Sequence, residues 1–312
     1  MAESRNGRRA AAGKGRKAGQ QKDGKRPAAG SARPARGTLI IIGGSEDKRE
    51  TKVILREAVR RIGSGRLVIS TLASDYGEEV WELYRRIFTE LGVRQIGHLG
   101  IEYRDESEGD PRLDILAGAT AMFFTGGDQL RITTRLGGTP LSDRIEEIFR
   151  RGGVIAGTSA GASALGEMML VGSPGGGLFK VGDMVQMVPG LGLLRNVIID
   201  QHFSERGRIR RLLGAVAQNP RMLGIGIDED TAIIVENEAD FQVLGAGAVY
   251  VVDGHDLSYT NISEDALGST MSVFGVKLHV LSQGDGFNLK TRQPASLSAD
   301  AAEQKVRAEK VS

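Results

Sequence analysis

Ser159 stands in Gly157-Thr158-Ser159-Ala160-Gly161, directly after the apolar run Val154-Ile155-Ala156. Gly-x-Ser-x-Gly behind a strand is the spacing of a nucleophile elbow: the small residues let a strand turn sharply into a helix and leave the hydroxyl clear at the sheet edge. The helix that follows directs unbonded N–H groups and its positive dipole end to the same place, and Ala160 N–H is the first donor for a developing oxyanion. This is acyl-transfer chemistry, and it requires a base. A tight strand-to-helix turn can equally carry a serine for purely structural reasons, so the base decides the matter.

The chain has four histidines. His202 follows the apolar run Val197-Ile198-Ile199 in Asp200-Gln201-His202 and so emerges at the carboxyl end of a buried strand. His98 also ends a strand but stands alone, while His255 in a Gly-Asp turn and His279 in Lys277-Leu278-His279-Val280 read as ordinary surface or half-buried residues. A third group, a carboxylate, has to fix the imidazole tautomer and stabilise the imidazolium. Glu229 in Asp228-Glu229-Asp230 is favoured, because like charges beside the buried run Leu223-Gly224-Ile225-Gly226-Ile227 are costly unless something pairs with them. Asp200, Glu167 and Asp183 are rivals that spacing does not dismiss.

The elements that must position these groups are legible from Thr38 onward. Short Ile/Val-rich runs alternate with longer segments of helical period, the pattern of βα units around a buried parallel sheet. Leu39 to Ile42 ends in Gly43-Gly44-Ser45 before a helical stretch from Arg49 to Ile62. Leu67 to Thr71 precedes a helix from Glu78 to Leu91, and the runs Val93 to Leu99 and Ala121 to Phe124 follow. Such strand ends are where open α/β folds gather functional groups. Beyond Asp230 the short β-branched segments Thr231 to Glu236, Phe241 to Leu244 and Ala248 to Asp253 predict an antiparallel extension.

Composition narrows the chemistry further. The chain has no cysteine, which removes thiolate nucleophiles, thiolate metal sites and disulfides, and fits a reducing compartment. Residues 1–36 hold 11 Lys/Arg against Glu3 and Asp23, with almost no large apolar side chain; the rest of the chain holds 30 basic against 37 acidic residues. That basic stretch is expected to be a disordered, solvated tail. Ala10-Ala11-Ala12 is too short for the apolar core of a signal peptide and no run suits a membrane span, so a cytoplasmic location without membrane or nucleic-acid partners is expected. The scattered histidines and the spacing of the glycine turns suggest neither a metal nor an organic cofactor.

Five motifs, each at a predicted strand end, occur in order: Ile42-Gly43-Gly44-Ser45-Glu46-Asp47-Lys48, Phe124-Thr125-Gly126-Gly127-Asp128-Gln129, Gly157-Thr158-Ser159-Ala160-Gly161-Ala162, Asp200-Gln201-His202-Phe203 and Gly226-Ile227-Asp228-Glu229-Asp230-Thr231. From about Gly37 to Gly286 the chain closely resembles the cyanophycinase family, peptidase family S51, which is related to peptidase E. The resemblance implies an α/β fold: a flavodoxin-like three-layer α/β/α sandwich with a mostly parallel central sheet and a C-terminal antiparallel β extension. It implies a hydrolase domain over 37–286, between the basic tail 1–36 and a flexible C-terminal tail 287–312. It also implies that Ser159 attacks the scissile carbonyl, His202 carries the proton, Glu229 is the relay acid, and backbone N–H groups of Gly127 and Asp128 join that of Ala160 in an oxyanion hole.

Cyanophycinases are exopeptidases that cleave cyanophycin, a polyaspartate backbone bearing arginine on each side-chain carboxyl, to β-aspartyl-arginine. A pocket for such a unit must bind a carboxylate and a guanidinium. Ser204-Glu205-Arg206-Gly207-Arg208-Ile209-Arg210-Arg211 supplies four arginines just after the base. Arg208 and Arg211 share a helical face, whereas Arg210 points elsewhere, so Arg206, Arg208 and Arg211 are the expected carboxylate ligands. Gln129, Asp200 and, more weakly, Gln201 are expected to meet the amide or the cation. The family resemblance further implies a homodimer. A peptidase E-like dipeptidase removing N-terminal aspartate, and a catalytically silent binding protein on the same scaffold, are the rival readings.

Overall fold

The computed structural model describes residues 37–100, 103–104, 109–172, 185–263 and 269–295. The expectations for residues 1–36, for the tail beyond 295 and for Asp183 lie outside the described residues.

In chain order the elements are β1 (Thr38–Ile42), α1 (Val53–Ile62), β2 (Arg66–Ser70), α2 (Gly77–Glu90), β3 (Ile96–Leu99), β4 (Ala119–Phe124), α3 (Gln129–Leu136), α4 (Pro140–Arg150), β5 (Val154–Thr158) and α5 (Ala160–Leu165). There follow β6 (Gly166–Val171), β7 (Gln186–Pro189), β8 (Leu194–Gln201), α6 (Ile209–Gln218), β9 (Leu223–Ile227), β10 (Thr231–Glu236), β11 (Asp240–Gly245) and β12 (Val249–Asp253). The pair β13 (Tyr259–Thr260) and β14 (Val273–Phe274), then β15 (Lys277–Leu281), β16 (Gly286–Asn288) and β17 (Gln293–Ala295), complete the described chain, with a short 3-10 turn at Pro111–Leu116.

The predicted α/β fold holds, with parallel strands and an antiparallel extension in one sheet. Among the described residues the strands form two large sheets and the small pair β13-β14. The first has nine strands in the order β17-β16-β11-β10-β1-β5-β4-β2-β3, and the second has six in the order β15-β12-β9-β8-β6-β7. Strands β1 to β5 of the first sheet run parallel to their neighbours within that group, and β10, β11, β16 and β17 extend it antiparallel. In the second sheet β6, β8 and β9 are parallel, flanked by antiparallel β7, β12 and β15. The apolar runs at 196–200 and 223–227 look the same whichever sheet they join, because both faces of β8 and β9 are covered.

Alternation within single strands sorts the core into layers. Ile40 and Ile42 pack with Ile54, Leu55, Ala58 and Phe88 of the helices on one face of the first sheet. Leu39 and Ile41 turn the other way, into a cluster that includes Ala160, Ala162 and the second-sheet residues Val197, Ile199 and Ile225. Ile198 and Val252 face out from the second sheet onto Leu212, Ala215 and Val216 of α6.

Three local departures have physical reasons. Helix α1 begins at Val53, not near Arg49, because the Asp47 carboxylate accepts the N–H groups of Arg49, Glu50 and Lys52 and holds those residues in a loop. The helix after Ser159 has only six residues, all buried, and passes directly into β6. The C-terminal boundary expected at 286 is overtaken by β16 and β17: Phe287 is fully buried against Phe241, a cross-strand aromatic pair that ties this segment to β11. The low hydrophobicity of the segment concealed one anchoring residue.

Candidate active site

Three consecutive carbonyls, beginning with the last residue of β1, organise the site. Ile42 O accepts from Ser159 N–H at 3.1 Å, Gly43 O from His202 N–H at 2.8 Å, and Gly44 O from Asp230 N–H at 2.9 Å. The Gly43-Gly44 turn thereby fastens the segments that carry Ser159, His202 and Glu229 to one another. Gly44 has φ +107°, and a Cβ there would lie 2.3 Å from His202 Cε1, so the imidazole rests on bare backbone that only glycine leaves open.

Ser159 has φ 53° and ψ −115°, and His202 has φ 46°. Both are non-glycine residues in a strained region, and such strain persists where surrounding structure over-determines it, commonly at functional sites. For Ser159 it arises from the turn out of β5. Gly157 and Gly161 make that turn possible: a Cβ on Gly157 would meet Gly161 O at 2.5 Å, and one on Gly161 would meet Phe124 O at 2.3 Å.

Ser159 Oγ and His202 Nε2 are 2.9 Å apart, and His202 Nδ1 and Glu229 Oε1 are 2.5 Å apart. With Nδ1–H donating to the carboxylate, Nε2 has the lone pair free to accept the Ser159 proton. Glu229 is held below the usual glutamate range, chiefly by its hydrogen bond to His202 and further by a hydrogen bond from Ser45. The Glu229 N–H is fixed by Glu205 Oε1 at 3.2 Å. Such a relay can activate a hydroxyl and then return the proton to a leaving group.

Of the rival acids, Asp200 is fully buried and committed to arginines. Glu167 accepts from Asn196 N–H at 2.7 Å, near the start of β8, whereas His202 follows its end. At about 3.3 Å per residue these are roughly 20 Å apart along the strand.

The expected oxyanion donors fare unequally. Gly126 lies against the nucleophile, since a Cβ on it would be 3.3 Å from Ser159 Cβ. The N–H groups of Gly127 and Ala160 donate to nothing among the described residues, and the sharp φ of +138° at Gly127 belongs to this turn. Asp128 is a correction: its N–H donates to Ala73 O at 2.8 Å, and its carboxylate caps α3 by accepting from Leu130 N–H. A residue that begins a helix as its cap spends its polar groups there.

The arginine segment is also rearranged relative to expectation. Arg211 donates through Nε to Asp200 Oδ2 at 3.0 Å and through Nη2 to Oδ1, and its Nη1 donates to Gly172 O at 3.0 Å. Its guanidinium is therefore consumed within the fold. Arg208 uses Nη1 alone, toward Asp200 Oδ1, Gln201 Oε1 at 2.9 Å and Gln201 O, leaving its Nε and Nη2 without partners among the described residues. Burial lowers its pKa to about 10, still fully cationic near neutrality. Arg206 is exposed, and its charge also helps to hold Glu229 low. Gln129 donates Nε2 to Leu170 O at 2.6 Å, which joins the Gly-Gly-Asp-Gln turn to the second sheet.

Glu46 lies in the first of the five motifs but has no role that the sequence predicts. It is 2% exposed and accepts from Thr158 Oγ1 at 2.5 Å and from Tyr84 Oη, with Lys48 Nζ at 3.0 Å. A glutamate in a glycine-rich turn gives no sequence signal of burial; only its partners, far apart in the chain, reveal it. Among the described residues no His, Asp and Glu group could hold a metal ion, and no helix is long and apolar enough to cross a membrane.

The model of peptidase family S51 matches residues 39–243. A cyanophycinase of Thermosynechococcus vestitus is 38% identical over 261 residues, covering 83% of this chain and 81% of that one. A cyanophycinase of Trichormus variabilis is 40% identical over 257 residues, covering 81% of this chain and 86% of its own. Among solved structures, a peptidase from an acI-B1 actinobacterium superposes with a TM-score of 0.59 at 22% identity, covering 82% of this chain and 98% of its own, which speaks to the shared fold.

Proposed function

This chain belongs to peptidase family S51 and is a peptidase; we propose that it is a serine-type exopeptidase that hydrolyses cyanophycin to β-aspartyl-arginine through a Ser159, His202 and Glu229 relay. The observation that carries the reading is the unbroken chain from Ser159 Oγ to His202 Nε2 at 2.9 Å and from His202 Nδ1 to Glu229 Oε1 at 2.5 Å.

Ser159 Oγ attacks the scissile carbonyl as its proton passes to His202 Nε2, and the imidazolium is stabilised by Glu229. The tetrahedral oxyanion is met by the N–H groups of Gly127 and Ala160, which have no competing acceptor among the described residues. As the C–N bond breaks, His202 gives the proton to the leaving amine. Water then attacks the acyl-enzyme carbonyl, its proton going to His202, and Ser159 is released.

The polymer as substrate is supported by the names of the relatives and by the charge beside the base. Arg208 and Arg206 offer donors for a substrate carboxylate, while Gln201 and Asp200, itself held by Arg211, fix Arg208, and Gln129 keeps its carbonyl for an amide. Incubating purified protein with insoluble cyanophycin and, separately, with Asp-Leu tests the reading, with Ser159→Ala alongside. Release of β-Asp-Arg by the unmodified protein alone is expected. Activity confined to Asp-Leu would replace the polymer by the peptidase E-like reaction, and release by Ser159→Ala would remove Ser159 as nucleophile.

A further inference from the structure

The carboxyl edge of the first sheet carries a second recess. The order β1-β5-β4-β2-β3 puts His202, which rests on the turn after β1, on one side of Ser159 and the ends of β2 and β3 on the other. At those ends a cleft of about 730 Å³ is lined by residues including Ser74, Glu78, His98, Arg112, Arg131 and Arg135. The oxyanion turn packs on Ala73, the residue before the lining residue Ser74: Asp128 N–H donates to Ala73 O, and a Cβ on Gly127 would sit 2.0 Å from that oxygen.

The cleft is charged on a plan. Arg135 Nη1 donates to Leu72 O at 3.0 Å, and Arg112 is held by the buried Asp110 at 2.7 Å, which places two guanidiniums on fixed supports. Arg131 pairs with Asp75, whose carboxylate is 69% exposed, a contact that water screens and a ligand can exchange. Glu78 is exposed in the same cleft. His98 accepts or donates to Thr71 Oγ1 at 2.8 Å and stacks on Trp81 at 4.6 Å between centroids. Burial lowers its pKa, which leaves it an uncharged wall near neutrality. A ligand bearing one carboxylate and one guanidinium matches cationic supports and acidic groups so arranged.

We infer that this cleft is a subsite for a polymer unit beyond the two that flank the scissile bond, taking that unit's free carboxylate on Arg131 and Arg135 and its guanidinium on Glu78. The inference rests on the polymer reading above. Strands β2 and β3 are two and three places from β5, about 10–14 Å at the usual interstrand spacing. An extended backbone advances at most ~3.6 Å per residue, so a unit about three or four residues along the backbone comes level with the cleft.

The protein contains its own probe, because Trp81 is the sole tryptophan and stacks on the lining residue His98. Full-length Ser159→Ala protein is titrated with (β-Asp-Arg)2 and (β-Asp-Arg)4 while Trp81 emission is followed, and unmodified enzyme is assayed on both. The tetramer should shift the emission saturably and bind about tenfold more tightly than the dimer, the scale of one added charge-assisted contact. Arg131→Ala should lower the tetramer-to-dimer ratio of kcat/KM by a similar factor. Asp75→Ala, which breaks the same ion pair but keeps the guanidinium, should preserve the ratio. Hydrolysis of both oligomers with no tetramer-specific emission change, or an Arg131→Ala loss equal for both lengths, overturns the subsite alone. Failure of the unmodified enzyme to hydrolyse either, with no binding by Ser159→Ala protein, overturns the polymer reading and the subsite with it.

Discussion

Thr158 Oγ1 donates a 2.5 Å hydrogen bond to Glu46 Oε2 across 112 positions of sequence, and both side chains are buried. The residue before the nucleophile is thus tied to the residue two beyond the glycine on which the imidazole rests. Tyr84 Oη donates to the same carboxylate, and its phenol is pushed to a higher pKa by burial and by the Glu46 charge.

Replacing Thr158 by Val removes one donor from this carboxylate and is expected to lower the unfolding free energy by about 1–3 kcal/mol. Glu46→Leu strands two hydroxyls and the Lys48 ammonium and is expected to cost about 3–5 kcal/mol. Urea denaturation checks both. Because the elbow moves with Thr158, kcat should fall in Thr158→Val more than KM changes; an unaltered kcat would make the contact purely structural.

Glu229→Gln is expected to lower kcat by about 10³–10⁴ with folding intact, since the amide can neither fix the tautomer nor stabilise the imidazolium. Glu167→Gln, acting near the start of β8, should leave kcat close to normal. The His202 hydrogen bond depresses the Glu229 pKa in the folded state. Its contribution to stability is therefore present above the ordinary glutamate pKa and lost as pH falls through the lowered value. In unfolding measured from pH 2 to 6, Glu229→Gln should flatten the acid side of the stability profile.

Gly44→Ala asks for a Cβ 2.3 Å from an imidazole carbon at a φ of +107°. A displaced ring loses its alignment with Ser159, and a displacement near 1 Å can cost about 10²-fold in rate. Steady-state kinetics should show this loss in kcat, and imidazole displacement should be visible in a crystal structure of the variant.

Asp200→Ala leaves Arg211 without its carboxylate partner in a site that excludes water, and the expected cost is about 3–5 kcal/mol. Arg208→Ala should instead raise KM for the polymer with little change in the thermal midpoint, because two of its three guanidinium nitrogens face no described partner. Calorimetry and kinetics on the two variants separate a structural arginine cluster from a recognising one.

The chain's own letters were enough for much of this protein. Gly-x-Ser-x-Gly behind a buried run, His202 at the end of another and Glu229 after a third are local patterns, and local patterns survive in sequence because strand, turn and apolar periodicity are properties of neighbours. So are the α/β class and the antiparallel extension after Asp230. Tertiary structure alone decided which sheet β8 and β9 join, that Phe287 anchors two more strands, that Asp128 spends its N–H on Ala73, and that Arg211 is consumed by Asp200. It also decided that Glu46 is buried. In each case the deciding partner lies far along the chain, and a buried polar group is satisfied by whichever partner the fold brings to it, which residue type and spacing do not encode. For Ser159 itself, sequence specified the turn that exposes the hydroxyl, and packing of three segments on the Gly43-Gly44 backbone set the 2.9 Å that joins it to His202.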